Sequence, residues 1–538
     1  MNLTPEDKAV GKVNFQAAIG SDLTRRKFLQ GGIEKNISSK NGLGGYYFGY
    51  DGVTDPVRVG VIGTGDEGNV LIAAINPDFL EVKAIADIRP YSRYRAFLGD
   101  VYSPLTQKVR CGLNKIYDWE SLDEGHRNVK VYEAWQELIA NAADDGLEAV
   151  IIALPLHLHA PVAIAAMRAG LHVLTEKLMG HSVCECKEMA RAATEAGVHL
   201  ATGHQRHYNI LYNNAVEAIK QGLLGELHYI RAQWHRDNMP GGDSWQPPMP
   251  ESVKPGDAQA KKLEAELTSW KGARQKLIRE TMPKLRKKRD EAKTAAATAK
   301  AEAAIEKCQE DITLWQAKIE QKEAQISDSD MDMKELVEKH KYQDGDGKLY
   351  DRPAIEELIR WRLWNRTGGG LMAELGSHQL DAASIFIAAV HDGVKQHPLS
   401  VAAAANRPLF PPDRDVDDHV YCLFEYAAPG YRAGDPIDER RKISVAYASI
   451  NGNGFGGYGE TVFGTEGTLV LEKEVDAMLY RTHETSGKIK VVDEPIAAGV
   501  RPKIEVDAAG KGDPDSAAIG GMAVKEAGRG YAEELEHW

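Results

Sequence analysis

The chain has 538 residues, a length that corresponds to about two to four domains. Its hydrophobic content of 43% and charged content of 27% are ordinary for a globular protein. The sequence contains no apolar run of about 18 residues, so no transmembrane helix is expected. The net charge of −13, from 79 acidic and 66 basic residues, argues against nucleic acid or a membrane surface as the main partner.

Residues 1–55 are rich in glycine, asparagine and serine, and we interpret them as a leader and linker. Within them the segment Thr24–Leu29 (TRRKFL) resembles a twin-arginine export signal. Such a signal needs an apolar stretch next, but polar residues from Glu34 onward interrupt it. A degenerate leader that leaves the protein in the cytoplasm is slightly favoured, and twin-arginine export to the periplasm or beyond stays open.

From Val57 onward, short apolar runs alternate with segments of helical length. The strand-like runs are Val57–Ile62, Val82–Asp87, Ala149–Leu154 and His172–Thr175. Helix-length segments such as Ala160–Ala169 lie between them. This alternation predicts βαβ units around a parallel sheet, and therefore a Rossmann domain over residues 56–203.

The first strand runs into a loop that matches G-x-G-x-x-G and opens a predicted helix. Its residues are Gly63, Thr64, Gly65, Asp66, Glu67 and Gly68. The first glycine permits a tight turn, the second lets backbone approach a pyrophosphate, and the third lets helix and strand pack closely. Because a helix N-terminus also offers free N–H groups to phosphate, we predict that this loop binds a dinucleotide. The alternative is a glycine-rich turn that holds no ligand.

Asp87 ends the second strand, 19 residues beyond Gly68. A carboxylate at this point accepts hydrogen bonds from a ribose diol and repels a 2′-phosphate, so NAD is favoured over NADP. Arg89 weakens this preference, because a guanidinium there could meet such a phosphate. Ile88, between the two, is included in the predicted cofactor site.

Two further strand ends should border the cofactor, because ligands bind beyond the carboxyl ends of parallel strands. Leu154, Pro155 and His159 follow the third strand, and His159 is a candidate contact of the nicotinamide ribose; a helix-capping histidine is the alternative. Glu176 and Lys177 end the fourth strand, where a charged pair is costly unless it is used or paired. Lys177 would hold a substrate hydroxyl or relay a proton, and a structural ion pair with Glu176 is the alternative.

A second α/β region covers residues 204–538. A helix is predicted over Asn213–Gln221 and a strand over Glu226–Trp234. Further strands with few helices between them indicate a largely antiparallel sheet. These strands are Val401–Ala405, His419–Tyr426, Ile443–Ile450, Thr461–Phe463 and Thr468–Leu471.

Residues 255–342, approximately, interrupt this region with a sequence rich in lysine, glutamate, alanine and glutamine. Apolar residues at three- and four-residue spacing, among them Ile305, Cys308 and Ile312, predict an inserted antiparallel helical hairpin that Pro283 interrupts. We interpret the hairpin as a solvated structural or oligomer-contacting arm without direct chemistry.

Three glycines at 368–370 precede a predicted helix over Leu371–Ala389. Glu374, His378 and Asp381 lie at helical spacing and share one face. A histidine beside a carboxylate can take the proton from an alcohol as a hydride leaves, and a buried core histidine is the alternative. A metal site from these three residues lacks supporting ligands, and the five scattered cysteines form no CxxC pair, so no metal is predicted.

The combination of these segments resembles the glucose–fructose oxidoreductase / inositol dehydrogenase / MocA (Gfo/Idh/MocA) superfamily. The stretches that carry the likeness are Val59–Gly68, Ala149–Lys177, Gly203–Arg206 and Gly368–Asp381. The likeness covers about residues 56–250 and 350–475 and leaves out the inserted hairpin. It implies an N-terminal Rossmann domain and a C-terminal α+β domain with an open, mostly antiparallel sheet, through which many members form dimers or tetramers.

The resemblance also implies roles for single residues. The family's Glu-Lys-Pro tripeptide reads Glu176, Lys177 and Leu178 here, and Lys177 would be the catalytic lysine. The family's helix carries an acid, three residues and a histidine, so His378 would be the general acid/base, with Glu374 where aspartate is usual. The family continues past a helix like Glu533–Trp538, where this chain stops, so we expect its final helices to be absent.

We therefore expect reversible oxidation of a secondary alcohol on a sugar, cyclitol or related polyol. The carbinol hydrogen would pass as hydride to the nicotinamide, with His378 taking the hydroxyl proton, Lys177 orienting the oxygen and Glu374 tuning His378. Sugars need hydrogen bonds and flat apolar faces, and on that ground the candidate substrate contacts are Arg206, Tyr208, Trp234, Arg362, Trp364 and Asp381.

Two alternatives remain at this point. One is an NAD-recycling glycoside hydrolase that acts by transient oxidation and elimination. The other is a non-enzymatic binding or scaffold protein that uses the helical arm. The expected partners are a small-molecule substrate and further copies of the chain, with neither nucleic acid nor membrane.

Overall fold

The computed structural model describes residues 3–19, 53–240, 245–253, 258–331, 341–343, 349–351, 354–411, 414–481, 485–486, 489–496, 499–506 and 529–538. The chain divides into two compact units. The parallel-sheet unit consists of Asp55–Ala201 and Ser244–Trp361, and the mixed-sheet unit consists of Met1–Thr54, Thr202–Asp243 and Arg362–Trp538. In the part of the chain that is described, no helix combines the length and the apolar character needed to cross a membrane.

A six-stranded sheet in the order β3-β2-β1-β4-β5-β6 organises the first unit. Its strands are β1 (Val57–Ile62), β2 (Leu80–Ala86), β3 (Lys130–Tyr132), β4 (Ala149–Ile152), β5 (His172–Glu176) and β6 (Leu200–Gly203). The first helix in chain order, α1 (Pro5–Ile19), belongs to the other unit. The helices here are α2 (Asp66–Ala74), α3 (Pro90–Leu98), α4 (Pro104–Val109), α5 (Leu113–Ile116), α6 (Leu122–Asn128), α7 (Trp135–Asn141), α8 (His159–Arg168) and α9 (Val183–Ala196). The pairs β1–β2, β1–β4, β2–β3 and β4–β5 are all parallel, as the sequence pattern predicted.

The central strands are apolar throughout because helices cover both faces of the sheet. All four residues of β4 are buried, as are the last four of β1. The short edge strand β3 was not predicted, and neither was β6. The first two residues of β3 are exposed and β6 is only partly buried, so neither has the apolar run that reveals a buried strand in a sequence.

The insertion forms the predicted antiparallel hairpin. Helix α11 (Ala258–Lys276) continues through a π-helical turn, Leu277–Thr281, into α12 (Met282–Asp290), and α13 (Ala295–Ser327) returns along them. Pro283 stands at the start of α12, just after the π turn, because proline lacks the N–H that a continuing helix requires.

The hairpin lies in the parallel-sheet unit, although in sequence it interrupts the second region. Helix α13 packs along α3. The fully buried Gln321 accepts a hydrogen bond from the backbone N–H of Val101 at 3.0 Å and donates one to Asp100 at 3.1 Å. The arm is therefore not solvated all round, because one of its faces is docked by buried polar contacts that spacing in the sequence does not reveal. Helix α14 (Ala354–Ile359) belongs to the same unit.

A seven-stranded sheet in the order β10-β11-β12-β7-β13-β14-β15 organises the second unit. Its strands are β7 (Leu227–His235), β10 (Ser400–Asn406), β11 (His419–Ala427), β12 (Lys442–Ile450), β13 (Tyr458–Gly464), β14 (Gly467–Glu472) and β15 (Asp476–Arg481). Only β7–β12 is a parallel pair among these neighbours, so the sheet is largely antiparallel, as expected. Two small strand pairs complete the strands described: β8 (Lys341–Gln343) with β9 (Leu349–Asp351), and β16 (Ile489–Ile496) with β17 (Gly499–Val506).

Among the described residues of this unit, helices pack on one face of the seven-stranded sheet, and no described helix of the unit packs on the other, which we call the open face. Helix α10 (Ile210–Lys220) and helix α16 (Ser377–Ala389) pack together, and α16 lies across β7, β12 and β13. Leu211, Phe386 and Val445 are central in the resulting apolar core. Helix α15 (Asn365–Gly368) precedes α16, and α17 (Tyr531–His537) ends the described chain.

Helix α1 (Pro5–Ile19) is a part of the mixed-sheet unit that the sequence analysis treated as leader. It packs on β15, with Phe15 fully buried in the core. Lys8 and Lys12 form ion pairs with Glu472 at 2.6 Å and with Asp476 at 2.7 Å. The helix has little apolar periodicity of its own, which is why only its tertiary partners identify it. The twin-arginine-like Thr24–Leu29 lies outside the described residues.

Candidate functional site

The glycine loop between β1 and α2 has the geometry that its sequence predicts. Gly63 has φ of +89°, and a Cβ there would lie 2.3 Å from the carbonyl oxygen of Ala153. A Cβ on Gly68 would lie 2.0 Å from the carbonyl oxygen of Gly63, so helix and turn are in direct backbone contact. A Cβ on Gly65 would meet nothing within 4 Å, which leaves open space at the start of α2. This cradle fits a pyrophosphate.

Asp87 holds the same loop from the end of β2. Its Oδ2 accepts the backbone N–H of Thr64 at 2.8 Å, and its Oδ1 accepts the backbone N–H of Arg89 at 2.8 Å. Burial raises the pKa of Asp87, although these hydrogen bonds and the Arg89 charge oppose it. A carboxylate in this position, with lone pairs still to offer, fits a ribose diol.

The loop after β4 also reaches the glycine turn. The side chain of Leu154 lies against Gly63, where a Cβ on the glycine would come within 2.9 Å of Leu154 Cδ2. His159 is buried at the start of α8, with Nε2 2.8 Å from the carbonyl oxygen of Leu154 and Nδ1 2.6 Å from that of Leu178. Its ring therefore ties the loop after β4 to the loop after β5, which is closer to the structural alternative than to a ribose contact.

Glu176 and Lys177 stand at the end of β5, as predicted. Glu176 is buried, and its Oε2 accepts the backbone N–H of Lys177 at 3.0 Å. Lys177 is half-buried, and the Lys177–Leu178 peptide bond is cis. The predicted cofactor residues of the first unit are thus gathered at the carboxyl ends of β1, β2, β4 and β5. Asp66, in the loop itself, is paired with Arg95 at 2.8 Å.

In the mixed-sheet unit the predicted helix over Leu371–Ala389 does not begin as a regular α-helix. Met372–Gly376 form a π-helical turn, and α16 begins at Ser377. Glu374, in the π turn, accepts a hydrogen bond from Arg362 Nε at 2.8 Å. Because a π turn contains more residues than an α turn, the four-residue separation of Glu374 and His378 does not by itself place them on one face, as the sequence analysis assumed.

An aromatic and cationic surface surrounds His378. Its ring lies 5.4 Å from that of Trp234, which stacks on Tyr458 at 4.3 Å with an interplanar angle of 16°. The guanidinium of Arg236 lies 5.3 Å from the Trp234 ring. Burial, assisted by the charge of Arg362, lowers the pKa of Arg236. Trp234 is 8% exposed and offers little accessible surface, but the partly exposed rings of Tyr458 and His378 beside guanidinium groups suit a polyol, which presents C–H faces and hydroxyl edges.

Two predicted substrate contacts are instead in the interior of this unit. Arg206 is 1% exposed and binds Glu460 Oε1 and Glu474 Oε1, each at 2.8 Å, and the carbonyl oxygen of His378 at 2.8 Å. Trp364 is fully buried. Both side chains are part of the interior of this unit, and their surroundings lend no support to substrate contact. Through its bond to the backbone of His378, Arg206 positions the start of α16.

The two acids bound to Arg206 respond differently to their surroundings. Burial raises the pKa of Glu460 to about 7 despite the nearby guanidinium. Burial also acts on Glu474, but the charges of Arg206 and Arg529 outweigh it, so the pKa of Glu474 is lowered.

Asp381 and Tyr208 take part in a second polar cluster of the same unit. Asp381 Oδ1 lies 3.1 Å from His207 Nε2, and its Oδ2 lies 3.6 Å from His204 Nδ1. Burial acts to raise the pKa of Asp381, but these two histidines outweigh it and lower the pKa. The Tyr208 hydroxyl lies 3.1 Å from His537 Nδ1. Asp381 and Tyr208 both remain candidate substrate contacts, and each also has a hydrogen-bond partner within the protein.

Sequence reasoning missed two residues of the platform around His378. Arg236 follows Trp234 by two positions, so a strand prediction extended beyond Trp234 would have placed both on one face. Tyr458 is the direct cross-strand neighbour of Trp234, but the predicted strand began three residues later, at Thr461. Strand boundaries carry little signal in the sequence, and pairing between distant strands carries none.

Comparison with known proteins gives matches concentrated in the first unit. Residues 57–204 match the family described as "Oxidoreductase family, NAD-binding Rossmann fold". A glycosyl hydrolase family 109 protein of Stenotrophomonas maltophilia is 31% identical over 186 residues, 34% of this chain and 36% of that protein. The scyllo-inositol 2-dehydrogenase (NADP(+)) of Bacillus subtilis is 30% identical over 114 residues, 21% of this chain and 32% of that one. The chain thus spans about a third of these relatives.

Among solved structures, a WlbA dehydrogenase of Bordetella pertussis in complex with NADH and UDP-GlcNAcA shows a distant likeness. The TM-score is 0.44 at 15% identity, over 80% of this chain and 83% of that one.

Proposed function

Because residues 57–204 make this chain a member of the Gfo/Idh/MocA family of NAD-binding oxidoreductases, we propose that it oxidises and reduces a secondary alcohol of a sugar, cyclitol or related polyol. The observation that carries the proposal is the platform around His378, in which Trp234 and Tyr458 stack beside Arg236 and the Arg362–Glu374 pair. Such a surface offers hydrogen bonds and a flat apolar face at one point.

The cofactor residues of the proposal lie in the other unit. The glycine loop, from Gly63 to Gly68, would hold the pyrophosphate of NAD, and Asp87 would accept the hydroxyls of the adenosine ribose. Bound NAD would supply the hydride acceptor, and its reduced form the donor. Lys177, at the end of β5, would donate a hydrogen bond to the substrate oxygen.

His378 would hold the proton of the reacting hydroxyl. In oxidation its ring takes that proton, and in reduction it returns the proton to the carbonyl oxygen. Arg206 positions the backbone of His378 by a hydrogen bond to its carbonyl oxygen. The Glu374–Arg362 pair places charge at the preceding turn.

The test is NAD reduction screened over sugars, cyclitols and glycosides with the wild type and with His378→Asn. We expect His378→Asn to lower kcat by about 10²- to 10⁴-fold, the usual contribution of a general base, with a smaller change in KM. His228→Asn, at an exposed position on β7, serves as the matched control and should keep full activity. Equal rates for the wild type and His378→Asn, both folded, would remove His378 from the mechanism.

A second candidate function is supported by the match to a glycosyl hydrolase family 109 protein. In that reaction the same oxidation acidifies a neighbouring C–H, elimination breaks the glycosidic bond, and the hydride returns, so that NAD is recycled. Nitrophenyl glycosides distinguish the two functions. A hydrolase releases nitrophenol in excess of NAD without net NADH, whereas a dehydrogenase accumulates NADH in proportion to oxidised substrate.

The proposal includes a homo-oligomer formed through the open face of the seven-stranded sheet. Tyr421 and Leu423 project from that face and are 40% and 45% exposed. Their neighbours in register on β10 and β12 are alanines, at positions 404 and 402 and at 448 and 446. A flat surface of small and apolar side chains is suited to burial against a second copy.

A further inference from the structure

The end of the inserted hairpin contacts the residues that follow β2. Asp328 comes directly after α13 and opens a short 3-10 turn, Asp328–Asp330. Its Oδ2 lies 2.9 Å from Arg89 Nη2 and 3.0 Å from Arg89 Nε, and its Oδ1 accepts the backbone N–H of Tyr91 at 3.1 Å. Asp328 is fully buried, and these partners compensate its carboxylate there.

The partners of Asp328 are the groups that a 2′-phosphate would require. Asp87 marks the ribose end of the proposed dinucleotide site, and its Oδ1 is bonded to the backbone of Arg89. A 2′-phosphate at that ribose needs an arginine near the end of β2 and free N–H groups at the start of the next helix, here α3. The Asp328 carboxylate already binds both the Arg89 guanidinium and the N–H of Tyr91 in the first turn of α3.

We propose that Asp328 makes the chain selective for NAD, because the insertion places a carboxylate where the 2′-phosphate of NADP would bind. The inference rests on the proposed function, since it concerns the cofactor of the same site. The charge of Arg89 is balanced by the Asp328 carboxylate, and the N–H of Tyr91 already has that carboxylate as its acceptor. The carboxylate also adds a second negative charge near that of Asp87. After burial, the charge of Asp328 is one of the causes that raise the pKa of Asp87, which places the two carboxylates within electrostatic reach.

Selectivity is not decided by membership in the family, because the similar scyllo-inositol 2-dehydrogenase is named as NADP-dependent. Asp87 alone leaves the choice open as long as Arg89 is available to a phosphate. The inserted hairpin removes that availability from a distance of about 240 residues along the chain, since Arg89 and Asp328 are separated by 239 positions.

The test replaces Asp328 by asparagine, which removes the charge and keeps the side-chain volume and an oxygen that accepts from Tyr91. Binding of NAD and of NADP to the full chain is measured by isothermal titration calorimetry, so the readout does not depend on catalysis. The wild type should bind NAD more tightly. In Asp328→Asn the ratio of the NADP to the NAD dissociation constant should fall by about tenfold or more, the effect of a charge-assisted hydrogen bond regained by Arg89.

Two further variants make the test specific. Asp330→Asn, exposed in the same turn, should leave the ratio unchanged. The double variant Asp328→Asn with Arg89→Gln leaves no buried charge unpaired, and it should lose the gained NADP affinity while keeping NAD binding. Asp328→Ser, whose hydroxyl can still accept from Tyr91, replaces Asp328→Asn if circular dichroism shows that variant unfolded.

The outcomes separate this inference from the proposed function. A wild type that binds NADP as tightly as NAD, an unchanged ratio in a folded Asp328 variant, or a gain that survives Arg89→Gln would overturn the role of Asp328. A wild type that binds neither dinucleotide would instead contradict the proposed function itself.

Discussion

At the scale of single residues, Glu534 carries a carboxyl group whose ionisation opposes folding. It is 2% exposed, and its Oε2 has no hydrogen-bond partner among the described residues. Burial, with a smaller effect from Asp381, raises its pKa from 4.5 to about 8. The folded chain therefore keeps this proton at pH values where the unfolded chain has lost it. As a result the free energy of unfolding falls as pH rises from about 4.5 to about 8.

Glu534→Gln cannot ionise, so we expect it to raise the free energy of unfolding at pH 8 by about 1–3 kcal/mol and to change it little at pH 4.5. Thermal unfolding of both proteins across this pH range checks the difference. Glu466→Gln, at an exposed position of the same unit, is the control. Parallel pH profiles for the wild type and Glu534→Gln would contradict the raised pKa.

Single residues also show how much of the candidate site could be predicted from the sequence. Gly63, Gly68 and Asp87 occupy their predicted positions, because their roles follow from backbone geometry at strand ends that are adjacent in the sequence. Arg206 and Trp364 were predicted as substrate contacts but are buried. Their partners, Glu460 and Glu474 in the case of Arg206, are more than 250 positions away in the chain, and nothing in the local pattern distinguishes a buried arginine from an exposed one.

At the scale of elements, helix α1 depends on one glycine for its contact with β15. A Cβ on Gly11 would lie 2.3 Å from the Tyr480 hydroxyl oxygen and 2.8 Å from Met478 Cβ. Because the Tyr480 hydroxyl also donates to the carbonyl oxygen of Asp7 at 3.0 Å, it cannot move away without losing that hydrogen bond. We expect Gly11→Ala to destabilise the mixed-sheet unit by about 1–3 kcal/mol, the usual cost of overpacking.

A matched substitution isolates this contact from the general effect of replacing a helical glycine. Gly272, in α11, has nothing within 4 Å of its Cβ position, so Gly272→Ala should stabilise by about 0.5–1 kcal/mol. Midpoints of thermal unfolding give both values. A rise in the midpoint with Gly11→Ala would mean that α1 does not pack on β15.

The elements that could be predicted are those with strong periodicity. The buried strands β1, β4 and β5 and the hairpin helices α11 and α13 follow from apolar runs and from three- and four-residue spacing. The short edge strand β3 and the π turn before α16 do not. A π turn differs from an α turn only in which carbonyl each N–H meets, and packing of the flanking residues determines that choice.

At the scale of the whole molecule, the open face of the seven-stranded sheet is predicted to be an interface between copies. Leu423→Lys places a charge on this face and should shift the protein toward monomers in analytical ultracentrifugation, because burying an unpaired charge in an interface is costly. Leu105→Lys, at a 72% exposed position of the other unit, should not change the sedimentation. A wild type that sediments as a monomer, or an oligomer unaffected by Leu423→Lys, would contradict the prediction.

From the order of residues alone it follows that a Rossmann domain begins near Val57, that a glycine loop and Asp87 follow its first two strands, and that a hairpin interrupts a second, mostly antiparallel region. These features depend on neighbours within a few turns or one βαβ unit, where chain connectivity dictates the geometry. Only the folded molecule shows that α1 completes the second core, that Arg206 is buried, and that Asp328 reaches Arg89. These features depend on contacts between distant segments, and the free energy of such contacts comes from burial and charge pairing that exist only once the tertiary structure has formed.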